Sequence, residues 1–375
     1  MNFLQKLFTR SAPLPEGLHH LQAMQDERPF RIHLRLQKDG SGILILNAAT
    51  VLQLNPTAAE YAYHFIKGTA PEEAAKQVSQ RYRVNRKVAL EDFNNFAERI
   101  HALVSAPDLD PASFLDFERV QPHSVETTLR LDCALTYHLP EKTQAEYAPV
   151  KRVDRELSTA EWMQVMDKAW QKGIPHIIFT GGEATLRDDL PELIAHAEKN
   201  GQVCGLLTDG LKLTDKGYFE TLLNTGLDHL MLILHPDDPR SWKAIEIIVP
   251  QDIFLTVHLT INKLNVKQAA ELLQRVAYLG VENISLSAAD SSLTDELLEL
   301  QSVAQSLRLS LRWDLPVPYS ISNPVAFETV DDTIPAGAGR NWLYVEPDGD
   351  VLPAQGEPDK VLGNLLRDEW DAILK

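Results

Sequence analysis

The sequence predicts an α/β fold: six β–α units forming a parallel sheet, with a small strand-and-helix domain before it and a β-rich tail after it. Three observations carry that expectation. From Thr127 onward, short apolar runs alternate with amphipathic segments, six of each. Gly173, Gly201, Gly226 and Gly280 follow four of the amphipathic segments, at the place where a left-handed residue stops a helix. Upstream, three strand-like runs precede three helical stretches, and a stretch with three prolines separates the two patterns.

In chain order, Met1–Arg10 places Phe3, Leu4, Leu7 and Phe8 at helical spacing. It has neither a sustained apolar core nor a cleavage site, so it reads as a docked or interfacial helix rather than a secretory signal. Arg31 to Leu36, Ile43 to Leu46 and Thr50 to Leu54 read as strands, with Asp39-Gly40-Ser41-Gly42 as a turn. Asn55-Pro56-Thr57 opens a helix through Ile66 that Gly68 stops. Thr69 to Glu72 has the form of a capping box before a helix to about Tyr82. Leu90 to Leu103 is the next helix, with Phe93, Phe96, Ile100 and Leu103 on one stripe. Ser105 to Glu126 reads as a linker with one short amphipathic piece, Phe114 to Phe117. The expected domains are an N-terminal segment (1–28), a small domain (29–106), the linker (107–126), the barrel (127–320) and a C-terminal extension (321–375).

In the barrel the expected strands are 128–136, 174–180, 203–208, 228–234, 253–260 and 282–288. The expected helices are 159–171, 189–200, 215–224, 239–248, 266–278 and 293–307, with Ser158 and Glu161 capping the first. Parity puts Thr128, Arg130, Asp132 and Thr136 on one face of the first strand, opposite Leu129, Leu131, Cys133 and Leu135. Thr256, His258 and Thr260 share a face of the fifth, and Asn283, Ser285 and Ser287 a face of the sixth. Apolar faces meet the helices, so a polar lumen that takes water or a polar ligand is expected; a merely solvated, half-open sheet is the alternative. Cys133 falls on the apolar face as a core thiol. Leu309 to Trp313 reads as one further strand, Pro316 to Tyr319 begins an irregular stretch, and Pro347-Asp348-Gly349-Asp350 signals a hairpin.

The chain of 375 residues carries 53 acidic and 36 basic side chains, a formal net charge of −17. That repels nucleic acid and anionic membranes, and no apolar run approaches the roughly 20 residues of a span. Two cysteines, Cys133 and Cys204, form no disulfide framework and point to a reducing cytoplasm; two thiols also cannot hold a four-cysteine cluster.

The candidate site lies at Ile177-Ile178-Phe179-Thr180-Gly181-Gly182-Glu183, an apolar strand running into a glycine turn. Adjacent glycines let backbone approach a ligand, and Glu183 stands at a strand's carboxyl end, where α/β folds place their ligands. An ordinary strand-to-helix loop explains the same residues. Thr180 to Arg187, followed by Leu206-Leu207-Thr208-Asp209-Gly210, resembles the second and third strands of radical S-adenosylmethionine (SAM) enzymes. The resemblance implies a partial (βα)6 TIM-like barrel in which Gly181, Gly182 and Glu183 hold the amino group of SAM. Asp209, His235 and His258 at the neighbouring strands complete the candidate cofactor set. Leu52-x-Leu54-Asn55-x-Thr57-Ala58, with Gly68-Thr69 downstream, resembles PqqD-like winged helix-turn-helix domains. These read the leader of ribosomally made peptides, which implies strand addition near Ile43, Ile45, Leu52 and Leu54. The tail, with Ala336 to Arg340 and Leu362 to Leu365, resembles SPASM or twitch extensions.

The family's first strand leads into a C-x3-C-x2-C loop whose thiolates hold a [4Fe–4S] cluster. Here those places fall on Leu139, Thr143 and Glu146, and the tail has Ala336 and Ala354 where SPASM cysteines are expected. Leucine has no donor atom, and a threonine hydroxyl is a poor ligand for such iron. The cluster is therefore expected to be absent, SAM binding weak, and radical chemistry lost. His138, Glu141 and Glu146, or His235, Asp237 and Asp238, show no tight ligand spacing, so no metal site and no catalytic residue is assigned. The expected protein is a cytoplasmic pseudoenzyme that binds a leader or precursor peptide as a scaffold, with an active modifying enzyme as a second partner. The alternative is an enzyme using the barrel mouth for non-radical SAM-dependent or hydrolytic chemistry.

Overall fold

The computed structural model describes residues 14–25, 28–46, 50–105, 128–140, 153, 155–289, 291–311, 337–357 and 359–374. Met1–Arg10, the linker from 106 to 127, Glu141, Thr143, Glu146, Pro316 to Tyr319 and Ala336 lie outside them. The chain forms two units, Met1–Ser124 and Val125–Lys375.

Among the described residues the first unit has four antiparallel strands rather than the three expected. They are β1 (Gly17–Gln25), β2 (Arg28–Leu36), β3 (Gly42–Leu46) and β4 (Thr50–Leu54), paired in that order. The added β1 reads GLHHLQAMQ, with no β-branched residue, so period and propensity both miss it. It forms because β2 pairs with it residue for residue, from Gly17↔Leu36 to Gln25↔Arg28. Helices α1 (Pro56–Ile66), α2 (Pro71–Tyr82) and α3 (Arg86–Ser105) follow. Phe30, Ile32, Leu34, Leu36, Leu44, Leu46, Leu52 and Leu54 form one core with the helices, including the Phe93–Phe96–Ile100–Leu103 stripe.

Asn55 caps α1 by accepting from the Ala58 N–H at 2.9 Å. The Thr69–Glu72 capping box is not formed: Ala70 is the cap residue of α2 and supplies no side-chain bond. Thr69 Oγ1 instead meets His64 Nδ1 at 3.2 Å. The expected open edge at Ile43 and Ile45 is corrected too. Their strand β3 lies inside the sheet, and both side chains are buried, at 1% and 7% exposure. Leu52 and Leu54 do lie on an edge strand, but their side chains point into the helix-side core.

In the second unit the barrel strands are β5 (Arg130–Thr136), β6 (His176–Gly181), β7 (Val203–Thr208), β8 (His229–Ile233), β9 (Phe254–Ile261) and β10 (Asn283–Ala288), all parallel. The helices between and after them are α4 (Thr159–Gln171), α5 (Leu190–Asn200), α6 (Lys216–Asn224), α7 (Pro239–Ile248), α8 (Ala269–Tyr278) and α9 (Thr294–Ser306). Ser158 and Glu161 form the expected capping box on α4. The helix-side core takes Leu131, Cys133, Leu135, Val257, Leu259, Ile284 and Leu286, as parity requires.

β10 pairs at its outer edge with the short β11 (Ser310–Leu311). At the other edge β12 (Trp342–Val345) runs parallel to β5, and the antiparallel β13 (Asp350–Leu352) and β14 (Gly363–Asn364) extend the sheet to ten strands. The Asp348-Gly349 turn joins β12 to β13, as its sequence signals, and α10 (Trp370–Ile373) closes the tail.

The uniformly polar lumen needs correction. Strands β6, β7 and β8 present Ile178, Leu207, Met231 and Ile233 as one apolar cluster. Ala134, on the same face of β5 as Asp132, joins Tyr137, Tyr344 and Leu352 in another. β9 and β10 keep the imidazole and hydroxyl face that parity indicates, and β5 keeps its Arg130–Asp132 pair.

Candidate functional site at the strand ends

The turn after β6 is built against β5. Gly181 has φ +128°, and a Cβ there would stand 2.1 Å from the Thr136 carbonyl oxygen; a Cβ on Gly182 would stand 2.2 Å from that of His138. Those carbonyls accept from the Gly182 N–H (2.7 Å) and the Glu183 N–H (2.8 Å). The glycines thus admit the neighbouring strand end, whereas the sequence suggested close approach of a ligand.

Glu183 is buried, and its carboxylate is supplied from within the chain. Oε1 accepts from Thr185 N–H (3.0 Å), Thr185 Oγ1 (2.6 Å) and Thr208 Oγ1 (2.7 Å); Oε2 accepts from the Asp209 N–H (2.8 Å). Burial first, and the Asp209 charge second, push its carboxyl up to about 8, while these donors pull it down. Asp209 is raised by burial as well, and its Oδ1 accepts from Leu211 N–H at 2.8 Å.

Around this pair the loops are stapled. Lys212 Nζ donates to the Thr185 carbonyl at 2.7 Å. Arg187 donates to the Leu157 carbonyl (2.9 Å) and pairs with Asp189 (2.6 Å). Thr136 Oγ1 donates to Glu156 at 2.5 Å, and Tyr137 donates to the buried Glu346 at 2.6 Å.

The structure therefore brings Gly181, Gly182, Glu183 and Asp209 together. His258 lies apart in the lumen wall. Its Nδ1 meets Ser285 Oγ at 2.9 Å, and its Nε2 meets Ser287 Oγ (3.1 Å) and Thr260 Oγ1 (3.2 Å). Burial lowers it to about 3, so the ring is neutral at pH 7. His235 stands beyond the end of β8, where its N–H donates to Ser241 Oγ at 3.1 Å. Sequence reasoning missed Thr185, Thr208, Arg187, Lys212 and the Tyr137–Glu346 pair. Thr185, two residues from Glu183, was the one legible in principle, since a short hydroxyl side chain beside an acid is a local-bond signal.

A [4Fe–4S] cluster does not fit the donors present. Leu139, in the place of the first cysteine, packs against the apolar cluster of Ala134, Tyr137, Tyr344 and Leu352. Ala354, in one of the tail positions, is buried and has no donor. Both thiols are buried and lie in the helix-side core, away from the lumen. Burial pushes the Cys133 thiol far up, which keeps it protonated and inert. Among the described residues, no group of three or more His, Cys, Asp or Glu is placed to hold a metal ion.

Residues 133–281 match the model of the radical SAM superfamily, and the chain is related to that superfamily through this domain. It is 25% identical over 260 residues to a PqqA peptide cyclase of Granulibacter bethesdensis, and 26% identical over 227 residues to one of Streptomyces rochei. Those alignments cover 61% and 54% of this chain, and 68% and 62% of the relatives, so the chain spans about two thirds of their length.

The fold is similar to that of Streptococcus suis SuiB. The TM-score is 0.57 at 16% identity, over 92% of this chain and 87% of that one. For SuiB bound to its precursor peptide SuiA, the TM-score is 0.58 at 14% identity, over 94% and 88%. No described helix is long and apolar enough to cross a membrane.

Proposed function

We propose that this protein binds a ribosomally made precursor peptide without performing radical chemistry on it, as a scaffold beside an active modifying enzyme. One observation carries the reading: the place of the first cluster cysteine is a partly buried leucine packed against an apolar cluster. Iron–sulfur iron needs thiolate, and no thiol in this chain reaches the lumen. The likeness of the chain to peptide cyclases, and of its fold to an enzyme seen with its precursor peptide, supports a peptide as the ligand.

The N-terminal unit is the leader-reading element in this account, a PqqD-like domain by its sequence pattern, with the tail a SPASM-like remnant. Because Leu52 and Leu54 face the core, recognition at β4 runs through the main chain of that edge strand. Without an iron to chelate it, SAM has only the strand-end backbone and Glu183 Oε2, which takes a single donor; its binding is weak. The alternative, hydrolysis or non-radical SAM chemistry at the mouth, draws on Ser287 beside His258, but an imidazole lowered to about 3 is a feeble base.

Anaerobic reconstitution followed by an iron assay tests the chemistry. The expected product is colourless; about four irons per chain would refute the proposal. Amide exchange with precursor peptides encoded nearby tests the ligand. Protection should arise at β4, and protection confined to the barrel would remove the N-terminal unit from the account.

A further inference from the structure

His176 opens β6 and His229 opens β8, so both stand at the foot of the barrel. The glycine turn lies about 16 Å away along β6. The two Nε2 atoms are 2.7 Å apart. The ring centroids are 4.9 Å apart, little more than that gap plus two ring radii, so the nitrogens face one another nearly in line.

The chain makes room for this meeting. His229 lies beside Gly205 on β7, and Gly205 beside Ile178 on β6. A Cβ on Gly205 would stand 2.1 Å from His229 Cε1 and 2.4 Å from its Nε2. The bare glycine thus lets an imidazole cross a whole strand to reach His176. Closed parallel barrels fill such layers with Val, Ile and Leu. Two imidazoles there serve neither the strand-end site nor the apolar cluster above them.

Donor count, water and charge narrow what the pair holds. Zinc takes a full tetrahedral set of ligands, and only two side-chain donors converge here. His229 is buried beside Ile178, which leaves little room for water to complete that set. Burial first, and the Arg130 charge second, lower His229, so its ring is neutral at pH 7, the form that binds metal. Arg130 is paired with Asp132, Nε to Oδ1 at 2.9 Å, but a guanidinium nearby still favours an ion of low charge. A monovalent ion that accepts two imidazole nitrogens in line meets each condition, and cuprous copper is such an ion.

We propose that the His176–His229 pair binds one cuprous ion, with the Nε2 atom of each ring as its ligands. The proton now shared between the nitrogens moves to Nδ1 of its own ring, which frees both lone pairs. Two bonds of about 2 Å set the nitrogens about 4 Å apart, so the rings part by roughly an ångström. His176 is only half-buried and has room to swing outward. The site asks for nothing but the two Nε2 atoms, and it does not depend on the peptide reading.

Anaerobic titration of the full chain with cuprous ion, in competition with the chromophoric chelator bicinchoninate, tests it. The wild type should take up one equivalent, and X-ray absorption at the copper edge should show two nitrogen neighbours. His176→Gln and His229→Gln should each weaken binding by about tenfold or more. His229 is buried, so His176→Gln with an unchanged circular dichroism spectrum is the deciding variant. Wild type that takes up no cuprous ion overturns the inference. So does uptake that ignores His176→Gln, an absorption spectrum dominated by sulfur neighbours, or zinc chloride bound more tightly than cuprous ion.

Discussion

Glu183 has four donors and little solvent, and its behaviour follows from that competition. Its carboxyl is raised in the fold, to about 8, so the native state holds the proton more tightly than the unfolded chain. The stability this confers is fully present below the ordinary carboxyl value and is lost as pH rises through 8. Urea midpoints of the wild type should therefore fall between pH 6.5 and 8.5, and Glu183→Gln should flatten that limb; an unchanged slope would assign it elsewhere. Gly181→Ala sets a Cβ 2.1 Å from a backbone carbonyl at φ +128°, and should cost more than roughly 3 kcal/mol or prevent folding, read as a loss of the thermal transition. At this scale the sequence was half informative. Gly181, Gly182 and Glu183 stood out as a motif, but the Thr208 and Asp209 donors come from 25 and 26 residues away, and only the pairing of β6 with β7 makes them neighbours.

Among the elements, helices with a strong period were legible, with a glycine after them or without one. The expected helices 159–171 and 239–248 match α4 and α7 to the residue. Strand β1 was not legible, since pairing with β2 makes it and local propensity does not. The lumen was misjudged because the parity argument rested on the first, fifth and sixth strands, while Ile178, Leu207 and Met231 lie on the three between. One buried side-chain bond adds to the pairing of β12 with β5: Tyr137, just past β5, donates to Glu346, just past β12. Tyr137→Phe removes that donor and should lower stability by about 1–3 kcal/mol, measured by denaturant titration. A change within 0.3 kcal/mol, roughly the resolution of such titrations, would mean that solvent or another donor takes its place.

For the molecule as a whole, the buried groups pull stability in two directions with pH. His229 is lowered to about 4 and His258 to about 3, both by burial first. The stability they confer is present above the ordinary histidine value of 6.5 and is lost as pH falls through 4 and 3. Asp132, raised to about 6 by burial, acts with Glu183 on the alkaline side. The two sets cancel between pH 4.5 and 6, and only Glu183 acts above 6.5, so stability should peak near pH 6.5. His258→Gln should shallow the acid limb by about 1.4 kcal/mol per pH unit.

The placement of Trp342–Val345 beside Arg130–Cys133 has a consequence for biosynthesis. The first barrel strand leaves the ribosome more than two hundred residues before the segment that flanks it. Until that segment is made, a growing chain displays the outer edge of that strand to chaperones and to other nascent chains. A gene truncated ahead of codon 337 should accordingly yield aggregate instead of a smaller soluble barrel, and supplying the missing segment in trans should rescue solubility.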